Sequence, residues 1–185
     1  MIQSAISIKL KNKMELSVRT PNSSEAQITI ESMAVIAANS PYILSTPESF
    51  RAKNLDTQIK WLEESAQSDT SVIIAVYNQS GFIVGFCNAR SYSDIKRKHR
   101  AALGISIHSE YRGHGLGKKL MEILIQNIKK FKDIKIIELD VMTENITAIK
   151  MYEKLGFKHG GIFPKAFLFQ DEKFIDNLTM YLEVQ

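Results

Sequence analysis

The chain has 185 residues, with 24 lysines and arginines against 20 aspartates and glutamates, which gives a net charge of +4. This length suits one domain with a substantial core, and so small a positive charge does not by itself indicate a nucleic-acid-binding protein. The single cysteine, Cys87, excludes an intrachain disulfide and a cluster of thiolate metal ligands.

The sequence shows no signal for metal binding or for targeting. The four histidines form neither an HExxH motif nor another paired metal-ligand spacing, so we expect no metal. No apolar run approaches the roughly 18 residues of a membrane span, and the first residues do not resemble a secretory signal. We therefore expect a cytoplasmic protein with no membrane partner.

In the first half of the chain, alternating or continuous apolar runs predict four strands, and apolar positions at helical spacing predict two helices. The predicted strands are residues 6–10, 16–19, 71–77 and 82–90, and the predicted helices are residues 26–39 and 46–66. Thr46-Pro47-Glu48 supplies the cap, the proline and the acid of a helix start. The turn Asn78–Gly81 joins the last two strands into a hairpin.

The second half predicts strands that alternate with helices and then a final pair of strands. The predicted elements are a strand at 101–108, a helix at 116–131, a strand at 135–142, a helix at 145–155, and strands at 166–170 and 178–184. Asp171-Glu172-Lys173 is predicted to turn between the last two. Three consecutive strands followed by βαβ units predict an α+β fold, with helices packed on a mixed sheet.

Lys96–Arg100 is a basic run between two predicted strands. We interpret it as a solvated loop, and the alternative is a patch for an acidic partner.

Tyr111–Leu120 reads YRGHGLGKKL and places three glycines at alternate positions between a strand and a helix. Such a loop exposes backbone N–H groups and a helix N-terminus to an anion such as phosphate. A P-loop would need glycine at Arg112 and a hydroxyl residue at Lys119, so the motif of a Mg²⁺-nucleotide site is broken. A dinucleotide fingerprint would need a third glycine at Lys118, and it would open the fold.

Arg112–Gly117 instead matches the pattern [QR]-x-x-G-x-[GA] at the end of a strand, which resembles the acyl-CoA-binding loop of the Gcn5-related N-acetyltransferase (GNAT) superfamily. Residues 145–157 are similar to the family's N-x-x-A-x-x-x-Y-x-x-x-G-F helix. The tail from Phe163 to Tyr181 is similar to the last hairpin of many bacterial members, so the resemblance spans residues 16–184.

This resemblance implies a GNAT fold, with a central mixed and mostly antiparallel sheet of six to seven strands flanked by about four helices. It places a single domain at residues 16–185, with residues 1–15 as an N-terminal extension or extra strand. It also implies acetyl-CoA as the acyl donor and an amine as the acceptor. The residues expected to contact the coenzyme are Ile107, His108, Arg112, Gly113, His114, Gly115, Leu116, Gly117, Lys118, Asn145, Ala148 and Tyr152.

The glycine loop and the strand before it have separate roles in this expectation. The backbone N–H groups of Gly113 through Lys118 would wrap the pyrophosphate, because glycine lets the backbone approach a ligand closely. In the family, the pantetheine arm pairs with the edge of the strand before the loop, which here is residues 105–109. The resemblance then implies that a backbone N–H near Ile107 faces the thioester oxygen.

Asn145, Ala148, Ile149 and Tyr152 recur at i, i+3, i+4 and i+7, so they share one face of the later helix. Asn145 would cap the helix, and the small Ala148 would leave room for the coenzyme. The resemblance assigns Tyr152 as the catalytic acid, since a phenol with a pKa near 10 suits the protonation of a departing thiolate. The spacing alone favours a packed core tyrosine.

The sequence does not identify a general base. Ala101 and Ala102 stand where many relatives have a glutamate. Glu138 and His108 are candidates, with a surface strand residue and a residue packed near the loop as the respective alternatives. A water chain, or an amine that arrives neutral, would need neither. Cys87 lies in an apolar strand, so we interpret it as a buried structural residue and not as an acyl carrier.

We expect an N-acetyltransferase that transfers the acetyl group directly to a primary amine: a small amine, an amino-acid-like compound or a protein N-terminus. Residues 42–64 and 163–173 are expected to frame the acceptor. One alternative is an acyl-CoA-binding sensor or scaffold with little catalytic activity. Another is a nucleic-acid-binding protein that uses Lys96–Arg100. Members of the superfamily are often dimers, although no pattern in this sequence marks a homodimer interface.

Overall fold

The computed structural model describes residues 5–169 and 172–185. Within these residues, eight strands form one sheet and five α-helices are present. The strands are β1 (Ile6–Lys9), β2 (Glu15–Arg19), β3 (Ser71–Tyr77), β4 (Ile83–Ser91), β5 (Arg100–Ile107), β6 (Ile136–Met142), β7 (Lys158–Leu168) and β8 (Phe174–Glu183). The helices are α1 (Ala26–Ala38), α2 (Pro47–Arg51), α3 (Leu55–Gln67), α4 (Leu116–Ile128) and α5 (Ile146–Lys154).

The strands follow the order β1-β2-β3-β4-β5-β6-β8-β7 across the sheet. Only β5 and β6 are parallel among the described neighbours, and all other pairs are antiparallel. The prediction of an α+β fold with a mixed, mostly antiparallel sheet is confirmed. The described sheet has eight strands, one more than the upper limit of the predicted six to seven. The additional strand is β1, which pairs with β2 at the edge of the sheet, from Ile6 with Val18 to Lys9 with Glu15.

The single helix predicted at residues 46–66 is wrong, because the structure has two helices there. Thr46 caps α2, which ends at Arg51, as its hydroxyl oxygen accepts a hydrogen bond from the Ser49 N–H. Asn54 has an extended backbone and caps α3 by accepting from the Thr57 N–H. A residue that caps well, such as Asn54, can begin a new helix within a segment whose apolar spacing looks continuous. The division into α2 and α3 explains why the structure has five α-helices and not the expected four.

The predicted strand at 166–170 is wrong at its start, because β7 already begins at Lys158. Gly160, Gly161 and Pro164 disfavour a strand interior, but β7 is the edge strand and its register with β8 shifts twice. Bulges and edge positions tolerate these residues. The predicted strand end at Gln170 and Asp171 of the predicted turn lie outside the described residues.

The central strand β3 is buried along its whole length because helices cover both faces of the sheet there. Its alternate residues Val72, Ile74 and Val76 belong to the core under α4, which also includes residues of α5. Its other residues pack with α1 and α3. We refer to these two sides of the sheet as the α4 face and the α1 face.

Candidate active site

Strands β5 and β6 are neighbours over only their first residues. Three residues of each strand pair, and the last pair is Ala102 with Glu138. Beyond that point β5 stays paired with β4 as far as Ile107, while β6 stays paired with β8 as far as Met142. Among the described residues, no strand pairs with the β6 side of β5 from Leu103 onwards. A cleft therefore opens between the C-terminal halves of the two strands.

The glycine loop leads from this free edge into α4. Gly113 and Gly115 have φ angles of 78° and 87°, a region that only glycine adopts without strain. Gly115 is the N-cap of α4, and no described side chain caps this helix. Its first N–H groups and its positive end are consequently open to an anion.

The start of α4 packs closely against β5 and α5. Leu116 is 1% exposed, so its side chain belongs to the core and only its backbone is left for a ligand. A Cβ atom added at Gly117 would lie 3.0 Å from Met151 Sδ and 3.2 Å from Ile107 Cδ1. The space at position 117 is therefore tight, and the packing there brings together three elements with predicted coenzyme contacts.

Two polar residues at the end of β5 stabilise the loop. His108 accepts a hydrogen bond from the Glu110 N–H at its Nδ1 atom, at 3.4 Å. Arg112 donates from Nε to the Ile107 carbonyl oxygen, at 2.9 Å, and partial burial lowers the pKa of this guanidinium. These hydrogen bonds constrain the backbone between the end of β5 and the glycine loop. The His108 contact agrees with the alternative interpretation of this histidine, a residue packed near the loop.

The remaining polar residues of the predicted coenzyme set lie around the α4 N-terminus. The His114 carbonyl oxygen accepts a long hydrogen bond of 3.5 Å from the Lys11 N–H, which belongs to the β1–β2 turn. Lys118 Nζ lies 3.7 Å from Glu122 Oε1, one helical turn away. The charge of Lys118 is therefore partly balanced within α4.

Helix α5 presents its predicted residues to the same region. Asn145 is the N-cap, and its Oδ1 accepts a hydrogen bond of 3.3 Å from the Ala148 N–H. Tyr152 is 6% exposed, and its ring lies 5.7 Å from that of Phe157. Burial, with a smaller contribution from Cys87, raises the pKa of Tyr152 to about 12. Its hydroxyl group makes no hydrogen bond to any residue that the structure describes.

The carboxylate of the candidate base Glu138 is hydrogen-bonded to other side chains. It is 8% exposed, which contradicts the alternative of a surface strand residue. Its carboxylate accepts hydrogen bonds from the Tyr92 hydroxyl and from the Arg100 guanidinium, whose Nε lies 2.7 Å from Oε2. One carboxylate oxygen of Glu138 is therefore engaged by Tyr92 and the other by Arg100.

Asp140 is an acidic residue at the cleft that the sequence reasoning missed. It lies two residues beyond Glu138, where β6 has left β5, and it is exposed on the α1 face. Its Oδ1 atom accepts from Asn177 Nδ2 at 2.7 Å and from Thr179 Oγ1 at 2.6 Å. Side chains of a strand alternate between the two faces of its sheet. Since Leu139 points into the core under α4, the sequence of β6 could have predicted that Asp140 points to the opposite face.

Trp61 and Phe163, which belong to the two segments expected to frame the acceptor, line different cavities. Trp61 lines a cavity of about 370 Å³ beside the α2–α3 turn. Phe163 lines a different one, of about 590 Å³, together with Glu138 and Thr179. Because Thr179 also contacts Asp140, the larger cavity adjoins the α1-face side of the cleft.

Two other sequence interpretations agree with the structure. Cys87 is fully buried, and burial raises the pKa of its thiol, as expected for a structural cysteine. The first four residues of the basic run lie in the β4–β5 connection, and Arg100 is the first residue of β5. In the connection, Arg97 pairs with Asp94 at 2.8 Å and stacks on the Tyr92 ring. The run is therefore a loop with internal partners.

The described residues include no group of three or more His, Cys, Asp or Glu side chains that could hold a metal ion. No helix among them is long and apolar enough to cross a membrane.

Known proteins resemble this chain in sequence and in fold. The spermine/spermidine N(1)-acetyltransferase of Bacillus subtilis (strain 168) is 40% identical over 55 residues, which are 30% of this chain and 36% of that protein. The L-amino acid N-acetyltransferase AaaT of Escherichia coli (strain K12) is 29% identical over 100 residues, 54% of this chain and 61% of that protein. The chain thus matches less than two thirds of either relative.

Solved structures extend the likeness over nearly the whole fold. An acetyltransferase of the GNAT family from Streptococcus pneumoniae superposes with a TM-score of 0.85 at 22% identity, covering 91% of this chain and 99% of that one. A GNAT superfamily phosphinothricin acetyltransferase from Sinorhizobium meliloti, in complex with acetyl-CoA, gives a TM-score of 0.75 at 14% identity, covering 91% and 88%. The sequence model of the acetyltransferase (GNAT) family matches residues 33–157, more than half of the chain. This chain therefore belongs to the GNAT acetyltransferase family.

Proposed function

We propose that this protein is an acetyl-CoA-dependent N-acetyltransferase that transfers the acetyl group directly to a primary amine. The observation that supports this most is the free edge of β5, which leads through the glycine loop into a helix whose N-cap is a glycine. Tyr152 of α5 belongs to the core cluster against which Ile105 and Ile107 of β5 pack. An anion site, an extended strand edge and a neutral phenol are what a pantetheine thioester requires.

The donor would bind through the backbone. Its pyrophosphate would accept hydrogen bonds from the N–H groups of Gly113 through Lys118 and would lie at the positive end of α4. The amide groups of its pantetheine arm would pair with the edge of β5 between Leu103 and Ile107, as an added strand does. The Asn145 side chain, which already caps α5, keeps its amide nitrogen for the same arm.

Tyr152 would be the general acid. Its pKa, raised to about 12 by burial, keeps the phenol protonated at neutral pH, so a proton is present when the thiolate leaves. The neutral phenol also needs no counter-ion in this buried position.

Asp140 would accept the amine proton at Oδ2, because both hydrogen bonds described for its carboxylate reach Oδ1. In Glu138, by contrast, Tyr92 engages one carboxylate oxygen and Arg100 the other. In the proposed step, the cationic amine first loses one proton to solvent. The neutral amine then attacks the thioester carbon, and the new C–N bond forms as the C–S bond breaks. An amine proton passes to Asp140, and the departing sulfur takes the phenolic proton of Tyr152. Proton exchange with solvent then restores both side chains.

The acceptor would approach from the α1 face, where Asp140 is exposed beside the larger cavity. A carboxylate at this place favours an amine, which is cationic in water. The names of the relatives, which include spermine and spermidine and an L-amino acid, point to small amines as the first compounds to test. We also propose residues 16–185 as one catalytic domain, with residues 1–15 as an N-terminal extension whose Ile6–Lys9 segment adds an edge strand.

The test is a panel of polyamines, amino acids and short peptides incubated with acetyl-CoA, with release of free thiol as the signal. We expect thiol release with at least one class of amine and none without amine. Tight coenzyme binding without acetylation of any amine would favour a sensor or scaffold. Salt-dependent nucleic-acid binding that coenzyme A leaves unchanged would favour the nucleic-acid-binding alternative.

A further inference from the structure

The β1–β2 turn brings a lysine against the glycine loop, although this turn is about a hundred residues away in sequence. The Lys11 N–H donates to the His114 carbonyl oxygen at 3.5 Å. A Cβ atom added at Gly115 would lie 3.9 Å from Lys11 Cε, the carbon that bears the ammonium group. The end of the Lys11 side chain therefore lies beside the N-cap of α4.

The turn itself is well defined by hydrogen bonds, so this placement is not that of a loose tip. The Leu10 N–H donates to the Met14 carbonyl at 2.9 Å, and the Lys13 N–H donates to the Leu10 carbonyl at 2.9 Å. Lys13 takes a left-handed backbone with a φ of 69°. Leu10 is 7% exposed in the core under α4, which fixes the turn on the α4 face.

The charge of Lys11 is unbalanced at this place. A cation near a helix N-terminus is electrostatically unfavourable, because the first N–H groups make that end positive. Lys9 has a partner in Glu15 and Lys118 has one in Glu122, at 3.9 Å and 3.7 Å. Among the residues that the structure describes, the Lys11 ammonium has no such partner. An anion bound between Lys11 and α4 would remove this repulsion and add a charge-assisted hydrogen bond.

We propose that Lys11 is a phosphate ligand of the acetyl donor, supplied by the N-terminal hairpin and not by the glycine motif. The inference rests on the proposed donor, acetyl-CoA, whose phosphate groups would lie at the start of α4. It gives the β1–β2 hairpin a role in coenzyme binding in addition to its place at the edge of the sheet.

The test is the affinity of purified full-length protein for acetyl-CoA, measured by isothermal titration calorimetry at two salt concentrations. We expect Lys11→Gln to weaken binding by about threefold to tenfold, the effect of one charge-assisted contact at a partly solvated site. Lys11→Arg retains the affinity, and Lys11→Glu weakens it further. The difference between the wild type and Lys11→Gln shrinks at high salt, because ions screen an exposed charge.

Lys9→Gln is the matched control. It removes the same charge from the same hairpin, but the burial of Ile8 and Leu10 toward α4 places Lys9 on the opposite face. We expect its affinity for acetyl-CoA to equal that of the wild type. Without ligand, Lys11→Gln has the wild-type melting temperature or a slightly higher one, because a repulsive charge is gone; a purely structural role for Lys11 would lower it.

The possible failures are distinguishable. If the wild type does not bind acetyl-CoA, the proposed donor is wrong. If the wild type binds and Lys11→Gln binds equally well, with the same dependence on salt, the donor stands and the assignment of Lys11 is wrong. An equal loss of affinity in Lys9→Gln would also contradict it, since only the net charge would then matter.

Discussion

Arg100 on β5 and Glu138 on β6 form an ion pair at the point where the two strands separate, with Arg100 Nε 2.7 Å from Glu138 Oε2. The last backbone pair between these strands is Ala102 with Glu138. Tyr92 directly follows the end of β4, and its hydroxyl group donates a hydrogen bond to the same carboxylate. These contacts fasten the strands together immediately before the cleft opens.

Glu138→Ala is expected to destabilise the protein by about 1–3 kcal/mol, because it leaves the Arg100 guanidinium and the Tyr92 hydroxyl without their acceptor. Urea unfolding followed by circular dichroism measures this change. Asp94→Asn is the control, since it also removes the partner of an arginine, Arg97, but at an exposed site. An unfolding free energy of Glu138→Ala equal to that of the wild type would contradict the role of this ion pair.

Tyr152→Phe is expected to lower kcat by about tenfold or more and to leave the affinity for acetyl-CoA similar, because it removes only the phenolic proton. Since burial raises the pKa of Tyr152 to about 12, the phenol stays protonated as the pH rises through 7 to 10. Loss of the acid form therefore causes no decline of kcat in that range. Steady-state rates against pH measure both effects.

Tyr77→Phe is the control for Tyr152→Phe. Tyr77 is also buried and has a raised pKa, but it packs on the α1 face with α3 and lies outside the proposed site. The expected kcat is that of the wild type. Equal kcat values for Tyr152→Phe and the wild type would remove Tyr152 from the mechanism.

Asp140→Asn is expected to reduce kcat/KM for the amine by about tenfold or more, because asparagine cannot take the amine proton. The KM for acetyl-CoA should stay unchanged, since Asp140 lies on the face of the sheet from which the acceptor is proposed to approach. Initial rates with either substrate varied measure the two constants. Asp133→Asn, an exposed aspartate in the α4–β6 connection, serves as the control and should keep both constants. A larger loss in the control than in Asp140→Asn would speak against the proposed base.

Gly115→Ala is expected to weaken acetyl-CoA binding by at least about tenfold, because alanine at a φ of 87° is strained and the loop must shift its N–H groups to relieve it. Gly81→Ala is a matched control, with a φ of 77° in the β3–β4 turn and free space around its Cβ position. Both variants should lose similar stability in thermal unfolding. Calorimetry should detect weaker binding in Gly115→Ala alone, and equal affinities would disprove the role of the loop.

The sequence by itself determined those features that depend on neighbours along the chain. The glycines at alternate positions predicted the loop, and the 3.6-residue period predicted α4 and α5, since helix periodicity and glycine conformations are local properties. The positions of Asn145 and Tyr152 on one helix face follow from the same spacing. Local signals were misleading where a capping asparagine, Asn54, divided a helix, and where an edge position tolerated Gly160 and Pro164 in a strand.

Only the tertiary structure decided at which residues β5 and β6 separate. It also decided that Arg100 binds the Glu138 carboxylate and that Asp140 is exposed at the cleft. It also decided that Lys11 meets Gly115 at the start of α4. These contacts join residues that are far apart in the sequence. They depend on strand register and on the way in which the hairpin and the helices pack on the sheet, which no local pattern specifies.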